Sequence, residues 1–243
     1  MTPLALVTGG SRRVGAAIAL ALAEAGMDLV ITYRQDREGA DAVCRRIAAL
    51  GRSARAVELD LAMVTSPDAV AATLSLDRLD ALVLNAAAWH GQPWSSWTHH
   101  DLVGTLQVNA VAPLLVAQSV RSLLERSSLP GGGSIVAIGD AHAAGTPVRG
   151  YAGYLMSKAA LAQAVQQMAV ELAPRIRANS VLPGVVAWPE SIDKASRARI
   201  LDRVPLGRAG EPQDVARLVR FLCLEAPFIT GAAIPVDGGR SLR

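Results

Sequence analysis

The residues best suited to proton chemistry fall in Tyr154-Leu155-Met156-Ser157-Lys158. The surrounding pattern is helical, so a phenol and an ammonium four residues apart share one face. A lysine charge beside a phenol is expected to lower the phenol's pKa and make it an acid or base near neutrality. Lysine occurs only as Lys158 and Lys194 in a chain whose cations are otherwise arginine, which makes a lysine in such a pair informative. Asp140 closes the apolar run at Ile138-Gly139-Asp140, and Asn109 interrupts an apolar helical pattern at Val108-Asn109-Ala110-Val111. The Asn109 amide suits either a satisfied buried group or an anchor for a water linking Lys158 to solvent. His90, His99, His100 and His142 have no metal-ligand spacing. His99 and His100 read as solvated, and His142 as a plain loop residue sooner than one that tunes Asp140. Cys44 and Cys223 are far apart and read as reduced core thiols. The chemistry to expect is acid–base catalysis without a metal.

A second group of residues suits a phosphate-rich cofactor. Thr8-Gly9-Gly10-Ser11-Arg12-Arg13-Val14-Gly15 sets a glycine-rich turn between an apolar run and an alanine-rich helical pattern. Such a turn brings backbone N–H groups to a pyrophosphate at the positive end of a helix dipole. Gly9, Ser11, Arg12, Arg13 and Val14 are the candidate contacts. An NAD site usually carries a carboxylate near the end of the second strand, but Ile31-Thr32-Tyr33-Arg34 has none before Asp36. Arg34 and Arg12 instead suit a 2′-phosphate, so NADP (NADPH) is expected, with Tyr33 beside it. Glu58-Leu59-Asp60-Leu61 and Asn85-Ala86-Ala87-Ala88 close two further strands. Asp60 can accept from an adenine amino group there, with Leu61, Asn85, Ala86 and Ala87 lining the cofactor.

Positioning these groups requires strands that end at one edge. Leu4–Thr8, Leu29–Tyr33, Ala54–Leu59, Ala81–Leu84, Ser134–Ile138, Arg177–Val181 and Ala233–Val236 read as strands. Val14–Ala25, Arg37–Leu50, Pro67–Leu74, Leu102–Arg126, Gly153–Ala173 and Pro212–Leu224 carry helical periodicity. The alternation predicts an α/β fold: a single doubly wound Rossmann-type domain with a mainly parallel seven-stranded sheet and ligands at the carboxyl ends of the strands. No linker, repeat or low-complexity segment divides residues 1–243.

With these motifs in order, the chain resembles the short-chain dehydrogenase/reductase family from end to end. The resemblance rests on the Thr8–Gly15 turn, Asp60, Asn85-Ala86, Asn109, Tyr154 with Lys158, Pro183-Gly184, and Ile229-Thr230-Gly231 followed by Val236-Asp237-Gly238-Gly239. It implies NAD(P) binding, Tyr154 as proton donor, Lys158 on the nicotinamide ribose and Asn109 in the proton relay. It also implies Pro183, Gly184 and Val185 near the nicotinamide carboxamide.

Departures from the family pattern narrow the substrate. Most members carry glycine where Arg13 stands and serine where Asp140 stands. A serine hydroxyl stabilises the oxyanion that grows from a carbonyl, whereas an ionised carboxylate opposes it. An aspartic acid suits a ring nitrogen that must receive a proton through Tyr154. Arg13 is expected to reach across the cofactor towards a heterocycle, and Trp89 to stack a planar substrate against the nicotinamide. The combination resembles the pteridine reductase and dihydromonapterin reductase branch, as does the ending Asp237-Gly238-Gly239-Arg240-Ser241-Leu242-Arg243. That likeness implies a pterin pocket lined by Tyr151 and Trp188 together with Asp140 and Tyr154. Asp140 and Tyr154 stand one residue further apart than in the branch, which an insertion in Ala143–Pro147 would absorb. Ala87 stands where the branch has a pterin-contacting serine.

The leading expectation is a reductase that transfers hydride from NADPH to a dihydropterin. The alternative is a 3-oxoacyl or other keto reductase of the same family, for which Asp140 would be anomalous. A catalytically silent NADP-binding sensor is a third reading, opposed by intact Asn109, Tyr154 and Lys158. A formal charge of +3 raises the question of nucleic acid, but the arginines are scattered and form no basic block. No apolar run approaches the ~18 residues that span a bilayer, and no basic leader precedes the first strand, so a cytoplasmic protein is expected. Apolar stretches at Leu114–Val120 and Leu161–Val170 fit the homotetramer that the resemblance implies.

Overall fold

Leu4-Ala5-Leu6-Val7 is apolar on both faces, and a strand of that kind is stable only between two covering layers. In the computed structural model, which describes residues 2–188 and 192–242, it forms β1 (Leu4–Val7) near the middle of the sheet. The other strands are β2 (Asp28–Tyr33), β3 (Ala54–Glu58), β4 (Ala81–Leu84), β5 (Gly133–Ile138), β6 (Ile176–Pro183) and β7 (Ala233–Val236). They make one sheet of seven in the order β3-β2-β1-β4-β5-β6-β7, and every pairing is parallel. The chain runs outward from β1 to β3 and then returns to place β4 on the other flank of β1. The carboxyl ends of β1 and β4 therefore enclose the switch point where such sheets bind ligands.

The helices are α1 (Arg13–Glu24), α2 (Arg37–Ala49), α3 (Pro67–Leu74), α4 (His99–Leu106), α5 (Ala112–Leu124), α6 (Ala152–Glu171), α7 (Lys194–Leu201) and α8 (Pro212–Leu224). Ala5 and Val7 face one layer, in which Ile18 and Leu22 of α1, Ile47 of α2 and Val219 of α8 are buried. Leu4 and Leu6 face the other, with Leu74 of α3, Val116 of α5 and Val165 of α6. Each side chain buried in this way contributes about 1.5–3 kcal/mol.

The expected helix over Leu102–Arg126 begins earlier, at His99, because Thr98 and Asp101 form a capping box. It is interrupted by a π-helical turn at Gln107–Val111. Pro113 has no N–H to give to the carbonyl of Asn109, so the ladder slips at this point. The run His99–Leu124 is long and apolar enough, by length and composition, to cross a membrane, contrary to the expectation that no segment qualifies. Here Val116, Ala117, Val120 and Leu124 lie buried in the core layer that also holds Leu4 and Leu6. Helix α7 has no counterpart among the expected elements. It buries no residue, so it carries no apolar periodicity, and its start is set by the Asp193 carboxylate accepting from the Ser196 N–H at 2.8 Å.

Candidate active site

Past β1 the backbone enters a turn that only small residues fit. Gly9 has φ of 66°, and a Cβ on Gly15 would stand 2.1 Å from the Gly9 carbonyl oxygen. The missing side chains press the first turn of α1 against the strand ends. Arg12, the N-cap, makes no side-chain cap bond, and the first turn holds no acid. Its N–H groups are thus left for an outside acceptor, and the cradle fits a dinucleotide pyrophosphate.

Thr8 and Asn85 fasten this turn to β4. Asn85 Nδ2 donates to the carbonyls of Thr8 at 2.9 Å and Gly9 at 3.1 Å. The N–H groups of Asn85 and Ala86 donate to Thr8 Oγ1 at 2.9 and 3.1 Å. The Asn85 amide thus shapes the turn from behind, while Ala87 is exposed. Tyr33 is buried at the end of β2, and Arg12 and Arg34 are exposed. The next acid along the chain, Asp36, caps α2, one carboxylate oxygen accepting from the Gly39 N–H at 3.0 Å. Asp60 accepts from the Ala62 N–H at 2.9 Å, next to buried Leu61.

Helix α6 carries Tyr154, Ser157 and Lys158, all buried. Tyr154 Oη donates to Asp140 Oδ2 at 3.1 Å. Between them the chain forms the 3-10 turn Ala141–Ala144 and then Gly145, whose φ is 126°. Lys158 Nζ donates to the Ile138 carbonyl at 2.7 Å and stands 6.0 Å from the centre of the Tyr154 ring. Asn109 Nδ2 donates to the Ala88 carbonyl and to Ser157 Oγ, both at 2.9 Å, and Oδ1 accepts from the Ala88 N–H at 2.7 Å. These contacts satisfy the buried amide and tie the segment after β4 to α6.

Electrostatics correct one expectation. Burial raises the Tyr154 pKa well above that of a free phenol, and the charge of Asp140 and the hydrogen bond to it raise it further. Lys158 does not lower it, because its ammonium is bonded to Ile138 while a carboxylate faces the phenol. Burial likewise brings Lys158 down to about 8, against the opposing pull of Asp140. Burial pushes Asp140 up, but hydrogen bonds from the His142 ring and backbone and from Tyr154 outweigh it and leave Asp140 below the usual carboxylate value. Tyr154 is therefore held protonated and Asp140 ionised near neutrality.

These groups open on a cavity of ≈210 Å³. Trp89 stacks on Tyr151 with ring centres 5.3 Å apart, and Tyr151 meets Tyr154 edge-on at 6.4 Å. Trp89 thus joins the wall through Tyr151. Gly184, Val185 and Trp188 form the opposite side, beyond buried Pro183. Arg13 is not part of the wall, contrary to its expected reach towards a ring; its Nη2 donates to the Trp188 carbonyl at 3.2 Å. A shallow depression at Glu125, Arg126, Ser127 and Arg175 lies by the amino ends of β5 and β6, away from all of this.

Among the wall residues not assigned to the pocket from sequence, two are polar. His142, read as a plain loop histidine, binds Asp140. Arg240 reaches the cavity from the 3-10 turn Arg240–Leu242. Asp237 holds that turn, accepting from the N–H groups of Gly239 at 2.9 Å and Ser241 at 2.7 Å. The Asp-Gly-Gly turn was visible in the sequence; its proximity to Asp140 comes only from the fold. Arg243, the last residue of that ending, lies outside the described residues.

A dinucleotide cradle at the switch point beside a Tyr–Lys pair defines an oxidoreductase of Rossmann type. The chain matches, over residues 9–241, the family described as enoyl-(acyl carrier protein) reductase, and it belongs to the short-chain dehydrogenase/reductase family. It is 36% identical to an uncharacterised oxidoreductase of Mycobacterium tuberculosis, over 97% of this chain and 91% of the relative. It is 35% identical to a 3-oxoacyl-(acyl-carrier-protein) reductase of Synechocystis, over 97% and 96%. Among solved structures, acetoin dehydrogenase from Enterobacter cloacae superposes with a TM-score of 0.88 at 33% identity, covering 100% of this chain and 96% of that one. A blue fluorescent protein from a metagenomic library, in complex with NADPH, gives 0.87 at 33%, covering 98% and 97%.

Proposed function

We propose that the chain is an NADPH-dependent reductase of a planar nitrogen heterocycle of the dihydropterin class. NADPH supplies the hydride when bound. Gly9, Ser11 and Val14 hold its pyrophosphate, Arg12 and Arg34 its 2′-phosphate, and Asp60 and Leu61 its adenine. Lys158 holds the nicotinamide ribose, and Pro183, Gly184 and Val185 border the nicotinamide. The NADPH-bound structural neighbour and the exposed Arg34 directly after β2, with Asp36 placed as the cap of α2, support this cofactor.

The observation that carries the substrate class is the ionised Asp140 at 3.1 Å from the Tyr154 hydroxyl. Reducing a C=O bond builds negative charge on oxygen beside the donor, which a neighbouring carboxylate opposes. Reducing a C=N bond passes through a nitrogen that gains a proton and positive charge, which the same carboxylate favours. Tyr154 gives that proton, and the Trp89–Tyr151 stack offers a flat wall to a ring.

The named relatives favour a second reading, a 3-oxoacyl or other keto reductase. The chain is further expected to act as a cytoplasmic homotetramer, for which exposed Val103, Val111 and Leu114, along α4, the π-helical turn and α5, offer an apolar face.

The test is NADPH oxidation with a 7,8-dihydropterin, run beside acetoacetyl thioester and with NADH in place of NADPH. Pterin turnover that falls about 100-fold in Asp140→Ser is the expected result. Turnover of the thioester with silence on pterins would establish the second reading instead.

A further inference from the structure

One group beside the reacting pair has no part in the function proposed above. His142 sits on the 3-10 turn Ala141–Ala144, directly after β5. Its backbone N–H donates to Asp140 Oδ1 at 2.8 Å, and its ring Nδ1 lies 3.2 Å from the same oxygen. The other oxygen, Oδ2, accepts from Tyr154. Asp140 therefore bridges an imidazole and a phenol, one oxygen to each. The His142 side chain is 13% exposed, the ring is part of the cavity wall, and Nε2 makes no hydrogen bond to a described residue. Solvent in the cavity can thus reach the far side of the ring.

We propose that Tyr154, Asp140 and His142 form a relay that returns a proton to Tyr154 after each turnover. The proposal rests on Tyr154 being the donor, and it holds whichever double bond is reduced. When Tyr154 gives up its proton, its O–H bond breaks and the phenolate faces a carboxylate across a hydrogen-bond distance. Two buried anions in contact are strongly disfavoured, so the pair must regain a proton before the next cycle. Neither Lys158, which donates to the Ile138 carbonyl, nor Asn109, which donates to Ala88 and Ser157, is hydrogen-bonded to Asp140, whereas His142 already touches it. Protonated His142 passes the proton from Nδ1 to Oδ1. Rotation of the carboxyl group about its Cβ–Cγ bond presents that proton to the phenolate, and neutral His142 takes another from solvent. One proton enters for each one delivered to the substrate. The other charged groups facing Asp140 are Lys158 from α6 and Arg240 from the C-terminal turn. Neither is hydrogen-bonded to Asp140.

The experiment compares wild type with His142→Gln and His142→Ala on whichever substrate the wild type turns over. Binding of NADPH, followed by its fluorescence, reports that each variant is folded. Gln keeps a donor for Oδ1 but shuttles no proton, so kcat is expected to fall about 10-fold with KM within about twofold. The solvent deuterium isotope effect on kcat is expected to grow, since reprotonation becomes limiting. Added imidazole is expected to restore much of the activity of His142→Ala, whose ring space is open, and little of that of His142→Gln. Unchanged kcat and isotope effect in His142→Gln would overturn the relay. So would a fall in kcat with no change in isotope effect and no imidazole rescue, which would leave His142 a purely structural partner of Asp140. The substrate that wild type prefers decides the function proposed above; the variants decide only the relay.

Discussion

The carboxyl edge of the sheet is built in two ways. Beside β1, β2 and β4 the surface is backbone, shaped by missing side chains and tied from behind by Thr8, Thr32 and Asn85. Beside β5, β6 and β7 it is side chain, with Asp140, Tyr154 and Lys158 held at shifted protonation states by burial and by one another. The first half is damaged above all by added atoms. The second is sensitive to charge, so the two should respond to different perturbations.

The largest effect is expected on the backbone side. Gly15→Ala would set a Cβ 2.1 Å from the Gly9 oxygen and 2.6 Å from Asn85 Nδ2, and neither is the free end of a flexible side chain. The turn must open, at a cost of about 3 kcal/mol. Chemical denaturation should report that loss equally at pH 7 and pH 9, with NADPH affinity falling about 100-fold in a binding titration. A variant of wild-type stability would mean that the turn is not close-packed.

The chemical half should instead reveal itself through pH. Lys158 titrates at about 8 in the folded protein and near 10.5 when unfolded. Below about 8 both states hold the proton, and the fold bears the whole cost of a buried charge. Between about 8 and 10.5 only the unfolded chain holds it, so this group makes stability rise with pH. Burial of Cys223 and Tyr154 acts in the opposite direction at alkaline pH, so the test is a difference. Wild type should gain about 3 kcal/mol relative to Lys158→Met between pH 7 and 10.5. A constant difference in urea unfolding across that range would show that Lys158 is as comfortable charged as neutral.

The same division decides how much was legible in the sequence. Strands with both faces apolar, the glycines of the Thr8–Gly15 turn and the helical spacing of Tyr154 and Lys158 are local signals, and they led to the sheet, the close-packed turn and the Tyr–Lys pair on α6. Arg240 and His142 carry no local signal. Arg240 stands a hundred residues from Asp140 in the sequence, and only the sheet order brings their loops together. His142 adjoins Asp140, but its orientation depends on a 3-10 turn whose length sequence spacing left open. Helix α7 was missed because it buries nothing. The direction of the Tyr154 shift was missed because spacing shows that Lys158 is near, but not that its ammonium is bonded to a carbonyl.

Arg13 belongs to both halves and gives the finest test of the comparison. Its φ of 51° is left-handed, which costs a non-glycine residue about 1–2 kcal/mol. In return its guanidinium donates to the Trp188 carbonyl across the cofactor cleft at 3.2 Å, in an exposed position where such a bond contributes about 0.5–1 kcal/mol. Arg13→Gly removes both. If the halves are independent, strain relief outweighs the lost bond, the melting temperature rises by about 1–3 °C and KM for the substrate stays within about twofold. A lower melting temperature would mean that the tie is worth more than the strain. In that case the backbone half and the chemical half are a single coupled unit, and Arg13 is the strut between them.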